Sequence, residues 1–238
     1  MTIVRLARVD STQRVAFALA AEGAEDRTVV VADYQAAGRG RRGRAWDALP
    51  GTSLLATIVV RPRVPAERWP AYSLASAVAV AETLERVAGL GARLKWPNDV
   101  LVRGRKIAGI LLESRLTAGD GAVGVIAVGI GVNLAQRAFP AALAARATSV
   151  ALETGAAPTR EEVLTALLSA FDAWRARLET EGMAPVRARW LALADTIGRR
   201  VSVDGVSGIA VDLDADGALV LEDGDRRHRV LAGELAAV

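Results

Sequence analysis

The chain has 238 residues, 52% hydrophobic and 24% charged, enough for one medium domain, or a larger one with a small appendage, around a sizeable core. Its 30 basic and 27 acidic residues leave a net charge of +3, too little by itself to indicate a nucleic-acid partner. The lack of Cys excludes disulfides, Cys-ligated zinc and thioester chemistry on the chain itself, and the single His228 argues against a Ser-His-Asp arrangement or a His metal site.

Residues 10–22, DSTQRVAFALAAE, open with cap-type residues and continue with apolar positions at helical spacing, which predicts a helix ended by Gly23. TVVVADYQ (28–35) and TSLLATIVVR (52–61) read as strands on either side of an Arg/Gly-rich loop. WPAYSLASAVAVAETLERVAG (69–89) predicts a long helix closed by Gly89. Three β-like runs follow, ARLKW (92–96), DVLV (99–102) and KIAGILLES (106–114), with Arg103 and Gly104 as a tight turn between the last two. VGVIAVGIGVNL (123–134) is a fourth, and two helices are predicted over 160–180 and 184–194. From Ile197 short alternating segments separated by Gly and Asp turns suggest a small β-barrel, so a boundary is placed between 1–194 and 195–238.

No apolar run reaches the roughly 18–20 residues of a membrane span. Residues 1–10 carry Arg5, Arg8 and Asp10 with no apolar segment behind them, so a soluble cytoplasmic protein without a membrane partner is expected.

Four arginines and three glycines share the nine positions of GRGRRGRAW (38–46). Gly38, Gly40 and Gly43 satisfy the dinucleotide fingerprint literally, but RAWDALPGTS follows where that motif needs an opening helix, and no ribose-binding carboxylate stands about 20 residues on. No P-loop pattern occurs. Asp212, Asp214, Asp216 and Gly217 imitate the start of a calcium loop, yet position twelve is Asp223 and the flanks alternate like strands, so a hairpin tip is expected and no metal site. With one basic cluster and 4% aromatics, a nucleic-acid surface is disfavoured. The glycines of the loop can present backbone N–H groups while its Arg forks pair with a carboxylate or phosphate, and Trp46 offers a flat face to a base.

Of the thirty basic residues only Lys95 and Lys106 are lysine. Lys95 lies in KWPNDV (95–100), on a strand whose neighbours Leu94 and Trp96 face the other side, and a buried ammonium there must meet an anion. In GIGVNL (129–134) the glycines mark either a close approach or a bulged core strand, and Asn133 can bond a phosphate or purine.

Taken together, DSTQ (10–13), YQAAGRG (34–40), GRGRRGRAW, KWPNDV, KIAGILLE and GIGVN, in this order along the chain, resemble the biotin-protein ligases, and the sequence from Gly198 resembles their C-terminal SH3-like domain. The resemblance covers nearly the whole chain. It implies an α+β fold, a class II aminoacyl-tRNA synthetase-like catalytic domain with a mixed sheet and flanking helices, followed by a small SH3-like β-barrel. It also implies a two-step reaction in which biotin and ATP, with Mg²⁺ as counter-ion, give biotinyl-5'-AMP. The biotinyl group then passes to a lysine of a biotin carboxyl carrier domain of an acyl-CoA or pyruvate carboxylase. By the same resemblance Lys95, Arg39 and Arg41 carry the catalytic charge. Ser11, Thr12, Gln13, Gln35, Arg39, Gly40, Arg41 and Lys95 bind biotin. Arg39, Arg41, Arg44, Trp46, Asn98, Lys106 and Asn133 bind the nucleotide. Gln13 departs from the usual Asn of the family. The alternatives are a lipoate- or octanoate-type ligase of the same fold and a biotin-responsive binding protein without catalysis. Because DSTQ begins at residue 10, a form without an N-terminal DNA-binding module and without a nucleic-acid partner is expected, and a homodimer is allowed.

Overall fold

A computed structural model describes residues 1–116 and 124–237; residue 123, the first of the predicted strand 123–134, lies outside the described residues. Seven strands form the main sheet: β1 (Ile3–Val9), β2 (Val29–Gln35), β3 (Ser53–Val60), β4 (Arg93–Lys95), β5 (Asp99–Val102), β6 (Arg105–Leu116) and β7 (Gly124–Asn133). Their order is β1-β2-β3-β7-β6-β5-β4, with β1 and β2 parallel and every other neighbouring pair antiparallel, so the sheet is mixed. The central β3, SLLATIVV, is buried at every residue, which accounts for its apolar composition around Ser53 and Thr57.

Six helices accompany the sheet: α1 (Thr12–Ala21), α2 (Ala71–Ala88), α3 (Ala141–Ala144), α4 (Val150–Thr154), α5 (Arg160–Glu181) and α6 (Met183–Leu193). Helix α2 ends on Gly89 in the left-handed conformation, φ 63°. Helix α5 begins with a capping box, in which the Thr159 hydroxyl accepts from the Glu162 N–H at 3.2 Å and the Glu162 carboxylate accepts from the Thr159 N–H at 2.7 Å.

The two faces of the sheet have different fates. One packs Val29, Ile58, Val60, Val128 and Ile130 against α2, α5 and α6 in the main core. The other carries α1, through Ala16, Phe17 and Ala20 on Val30, Val59 and Ala127. Alternation along β3, β6 and β7 places Leu55, Thr57, Gly109, Leu111, Gly129 and Gly131 on that second face, where α1 reaches Thr57, Leu111 and Gly129 through the Thr12 and Gln13 side chains of its first turn and leaves the face otherwise open. That uncovered part is the floor of the cavity described below.

The C-terminal strands β8 (Arg200–Val203), β9 (Val206–Leu213), β10 (Leu219–Asp223), β11 (Arg226–Val230) and β12 (Leu235–Ala237) form an antiparallel sheet of order β11-β10-β9-β8-β12. Its inner residues Val201, Val203, Leu213 and Leu221 belong to the same core as Trp96 and Trp190. The Trp96 indole N–H donates to the Gly217 carbonyl at 3.3 Å, so the two sheets are packed through shared side chains. The Asp-rich segment is the predicted hairpin tip: Asp214 Oδ1 accepts the N–H groups of Asp216 and Ala218, each at 3.1 Å, and Arg229 pairs with Asp214 and Asp216.

Predicted elements and observed ones agree from α1 through β11 within a few residues. The strand β1, the short helices α3 and α4, and β12 are additions. IVRLARV alternates imperfectly because β1 is an edge strand, half exposed on both faces.

Candidate active site

One cavity of about 930 Å³ lies on the uncovered half of the main sheet, between the loop 38–47, the hairpin β4–β5 and the edge of the C-terminal sheet. Every residue expected from the sequence to bind biotin or nucleotide lines it: Ser11, Thr12, Gln13 and Gln35 at the α1 end, Arg39, Gly40, Arg41, Arg44 and Trp46 on the loop, Asn98 in the β4–β5 turn, and Lys95, Lys106 and Asn133 from the strands.

The α1 end is a bonded polar cluster. Ser11 is the N-cap residue and is buried, yet its hydroxyl makes no capping bond and is left for the cavity. The oxygen of the Gln35 amide accepts the Thr12 N–H at 2.8 Å and the Thr12 hydroxyl at 3.0 Å, so its NH₂ group is the part free to donate. Gln13 is committed in full: its NH₂ donates to the Leu111 and Ala127 carbonyls, both at 3.0 Å, and its oxygen lies 3.1 Å from the Thr57 hydroxyl. This side chain therefore braces the floor. A Cβ on Gly129 would come within 2.7 Å of the Gln13 oxygen, so that glycine makes room for the brace. Thr57, 2.8 Å from the Thr12 hydroxyl, completes the cluster. Its signal in the sequence was a hydroxyl within a mostly apolar strand, one of two with Ser53.

The middle of the cavity is cationic. Lys106 Nζ pairs with Asp99 Oδ1 at 2.5 Å and stands 5.6 Å from the centre of the Trp46 ring. Lys95 faces Asp99 across the β4–β5 pairing but, among the described residues, takes no hydrogen bond or ion pair of its own. Arg41 reaches only the Asn98 amide oxygen, at 3.4 Å, while the Asn98 NH₂ is fixed on the Ile110 carbonyl at 2.7 Å. Burial, and then the neighbouring Arg42 charge, lower the Arg41 pKa from its usual value, the sign of a cation short of counter-charge. Arg39 differs: its guanidinium forks onto the Glu113 carboxylate at 2.8 and 3.4 Å, and Arg44 lies 2.6 Å from Glu234.

At the far end Trp46 rests on the floor. A Cβ on Gly131 would fall 2.6 Å from its ring and one on Gly109 3.0 Å, so these glycines exist to let an indole lie against the sheet. Asn133, a buried residue, donates its NH₂ to the Thr148 carbonyl at 2.9 Å, which leaves Oδ1 as an unpaired acceptor. Glu153, whose side chain is fully buried, accepts from the Thr148 hydroxyl at 2.5 Å and from Arg105 at 2.7 Å and so anchors this wall. Sequence reading did not reach Glu153, since no local pattern marks a carboxylate buried by partners 48 residues away.

Among the described residues no helix is long and apolar enough to cross a membrane, and no group of three or more His, Cys, Asp or Glu side chains could hold a metal ion.

The pattern of the Biotin/lipoate A/B protein ligase family matches residues 6–133, and that of the Biotin protein ligase C terminal domain matches residues 196–235. A biotin–[acetyl-CoA-carboxylase] ligase of Paracoccus denitrificans is 43% identical over 97% of this chain and 98% of its own. The bifunctional ligase/repressor BirA of Bacillus subtilis is 33% identical over 95% of this chain and 71% of its own. A biotin protein ligase from Aquifex aeolicus, solved with biotin and ATP, superposes with a TM-score of 0.86 at 28% identity, covering 99% of this chain and 97% of that one. The chain belongs to the biotin/lipoate A/B protein ligase family and carries the biotin protein ligase C-terminal domain.

Proposed function

We propose that this protein is a biotin-protein ligase that converts biotin and ATP to biotinyl-5'-AMP and then transfers the biotinyl group to a lysine of a biotin carboxyl carrier domain of a carboxylase. The observation that carries the reading is that Lys95 and Arg41 face one cavity without a carboxylate partner among the described residues. Two half-buried cations so placed favour anions, and the reaction supplies two, the biotin carboxylate and the α-phosphate.

In the first step a biotin carboxylate oxygen attacks the α-phosphorus and pyrophosphate leaves. Lys95, Lys106 and Arg41 offset the repulsion between the two anions and the charge that develops at phosphorus. Mg²⁺ supplied with ATP, rather than held by residues of this chain, would offset the charge of the triphosphate. In the second step the acceptor amine attacks the acyl carbon, AMP leaves, and the amine loses a proton. Gln35, through its free NH₂, and the Ser11 hydroxyl suit the ureido oxygen and ring edge of biotin. Trp46 and the Asn133 acceptor suit the face and the 6-amino group of adenine.

The polar α1 end weighs against a lipoate or octanoate ligase, because a purely aliphatic group would cover the Ser11 hydroxyl and the Gln35 NH₂ without giving them partners. The test is incubation of the protein with biotin, ATP, Mg²⁺ and a biotin carboxyl carrier domain, read by intact mass. A single biotinyl addition on one lysine is expected, undiminished by excess octanoate. No addition, or an octanoyl addition in its place, overturns the reading.

A further inference from the structure

The loop 38–46 is a narrow tongue. Gly40 N–H donates to the Arg44 carbonyl at 2.7 Å, Trp46 N–H donates to the Gly38 carbonyl at 3.0 Å, and Arg39 bridges Ala45. At its tip Arg42 and Gly43 both adopt positive φ, 56° and 73°, a conformation that a residue with a Cβ holds only when something fixes it.

What fixes it lies outside the loop. At the root, Arg39 forks onto Glu113 of β6. At the tip, Arg42 pairs with Asp204, in the β8–β9 turn, 162 residues away in sequence. Arg44 pairs at 2.6 Å with Glu234, which leads into β12. The two acceptors are themselves linked, since Asp204 Oδ1 accepts the Glu234 N–H at 3.3 Å. The Arg42 hydrogen bond holds the Asp204 carboxyl below its ordinary pKa, and the same bond raises that of Arg42. Three of the loop's four arginines are thus spent on carboxylates from three segments, and the tongue is strapped from the main sheet to the C-terminal sheet across the cavity. Of the four, Arg41 alone has no carboxylate partner among the described residues, and it lines the cavity half-buried.

We propose that Glu113, Asp204 and Glu234 are positioning residues that clasp the loop shut over the activated intermediate, leaving Arg41 as the arginine that meets its phosphate. The proposal rests on the ligase reading for the identity of the intermediate but not for the clasp itself. It assigns the C-terminal sheet a part in retaining the acyl-adenylate and takes the Arg39 guanidinium out of direct ligand contact.

The test uses the full chain with Asp204→Asn/Glu234→Gln, with Glu113→Gln, and with the swapped pair Arg42→Asp/Asp204→Arg. Amide hydrogen exchange of residues 38–46 is followed without ligand, and labelling of a bystander protein's lysines is followed with biotin, ATP and Mg²⁺. Exchange and bystander labelling are expected to rise at least about threefold in both neutralised variants, the scale of half-exposed ion pairs, and to fall back in the swapped pair. Raising salt should mimic neutralisation in the unsubstituted protein. Unchanged exchange in the neutralised variants overturns the clasp. Faster exchange with unchanged bystander labelling overturns its role in retention. If the unsubstituted protein forms no biotinyl-5'-AMP, the ligase reading and the retention role fail together, while exchange still decides whether the clasp exists.

Discussion

Lys106 Nζ lies 2.5 Å from Asp99 Oδ1, while Lys95, which faces Asp99 across the β4–β5 pairing, has no anion of its own among the described residues. One of the two ammonium groups is thus paired and the other is not, and the cavity keeps an excess of positive charge at its centre. Such an excess is costly when the cavity is empty and favourable when carboxylate and phosphate arrive together.

From this follows the first expectation. Lys95→Ala and Lys106→Ala should each lower biotinyl-5'-AMP formation by about 10²–10³-fold, the scale of removing one charge-stabilising donor, with the melting temperature little changed. Lys→Arg should not restore activity at Lys106, because a planar fork does not fit between Asp99 and the Trp46 ring. Adenylate formation by quenched-flow checks this, and unchanged rates would refute the roles given to the lysines.

The floor glycines make a second expectation. In Gly131→Ala the new methyl would stand 2.6 Å from the Trp46 ring, which must then lift from the sheet. Apparent affinity for ATP should fall about 10- to 100-fold while biotin binding, measured separately by calorimetry, is preserved. Equal loss of both would mean that the substitution distorts the whole floor.

At the opposite end, Gln35→Met removes the acceptor of the Thr12 N–H together with the free NH₂ group. Biotin binding should weaken by about 1–3 kcal/mol, and the effect should be much smaller for an analogue that lacks the ureido oxygen. A loss of equal size for both ligands would remove Gln35 from contact with that oxygen.

Asn133 bears on the choice of base. With its NH₂ on the Thr148 carbonyl it offers only an acceptor, so a purine with a 6-amino group should be used in preference to one with a 6-oxo group. Replacement by Ala should narrow the ratio of ATP to GTP turnover by about 5- to 100-fold. A ratio that does not move would place the adenine elsewhere.

The C-terminal hairpin carries a pH signature. Burial alone would raise the Asp214 pKa, but the bonds from Asp216, Arg229 and Ala218 outweigh it and hold the group at about 2. A depressed carboxyl stabilises the fold above its unfolded pKa, and that contribution is lost as pH falls through the folded value. Asp214→Ala should therefore cost about 1–2 kcal/mol in denaturant melts at pH above about 5, with the difference vanishing near pH 2. A pH-independent difference would assign the effect to packing.

Much of this site was readable because its chemistry is local. Arg41, Trp46, Lys95 and Asn133 belong to short segments whose residue types are odd for their elements, and the strand periods bring them to one face. What escaped was set by distance in the chain. Thr57 becomes a site residue only when β3 lies beside α1, Glu153 only when α4 docks on the β5–β6 hairpin, and Glu113, Asp204 and Glu234 only when three separate segments meet the loop. Arg39, Arg42 and Arg44 look alike in GRGRRGRAW and differ only in which carboxylate each one finds.

The most direct measurement is isotope exchange between pyrophosphate and ATP. The account predicts exchange that requires biotin, proceeds without any acceptor protein, and is lost when Lys106 is replaced by Ala. Exchange that is absent with biotin present, or that proceeds equally without it, would contradict the claim that this cavity joins the biotin carboxylate to the α-phosphate.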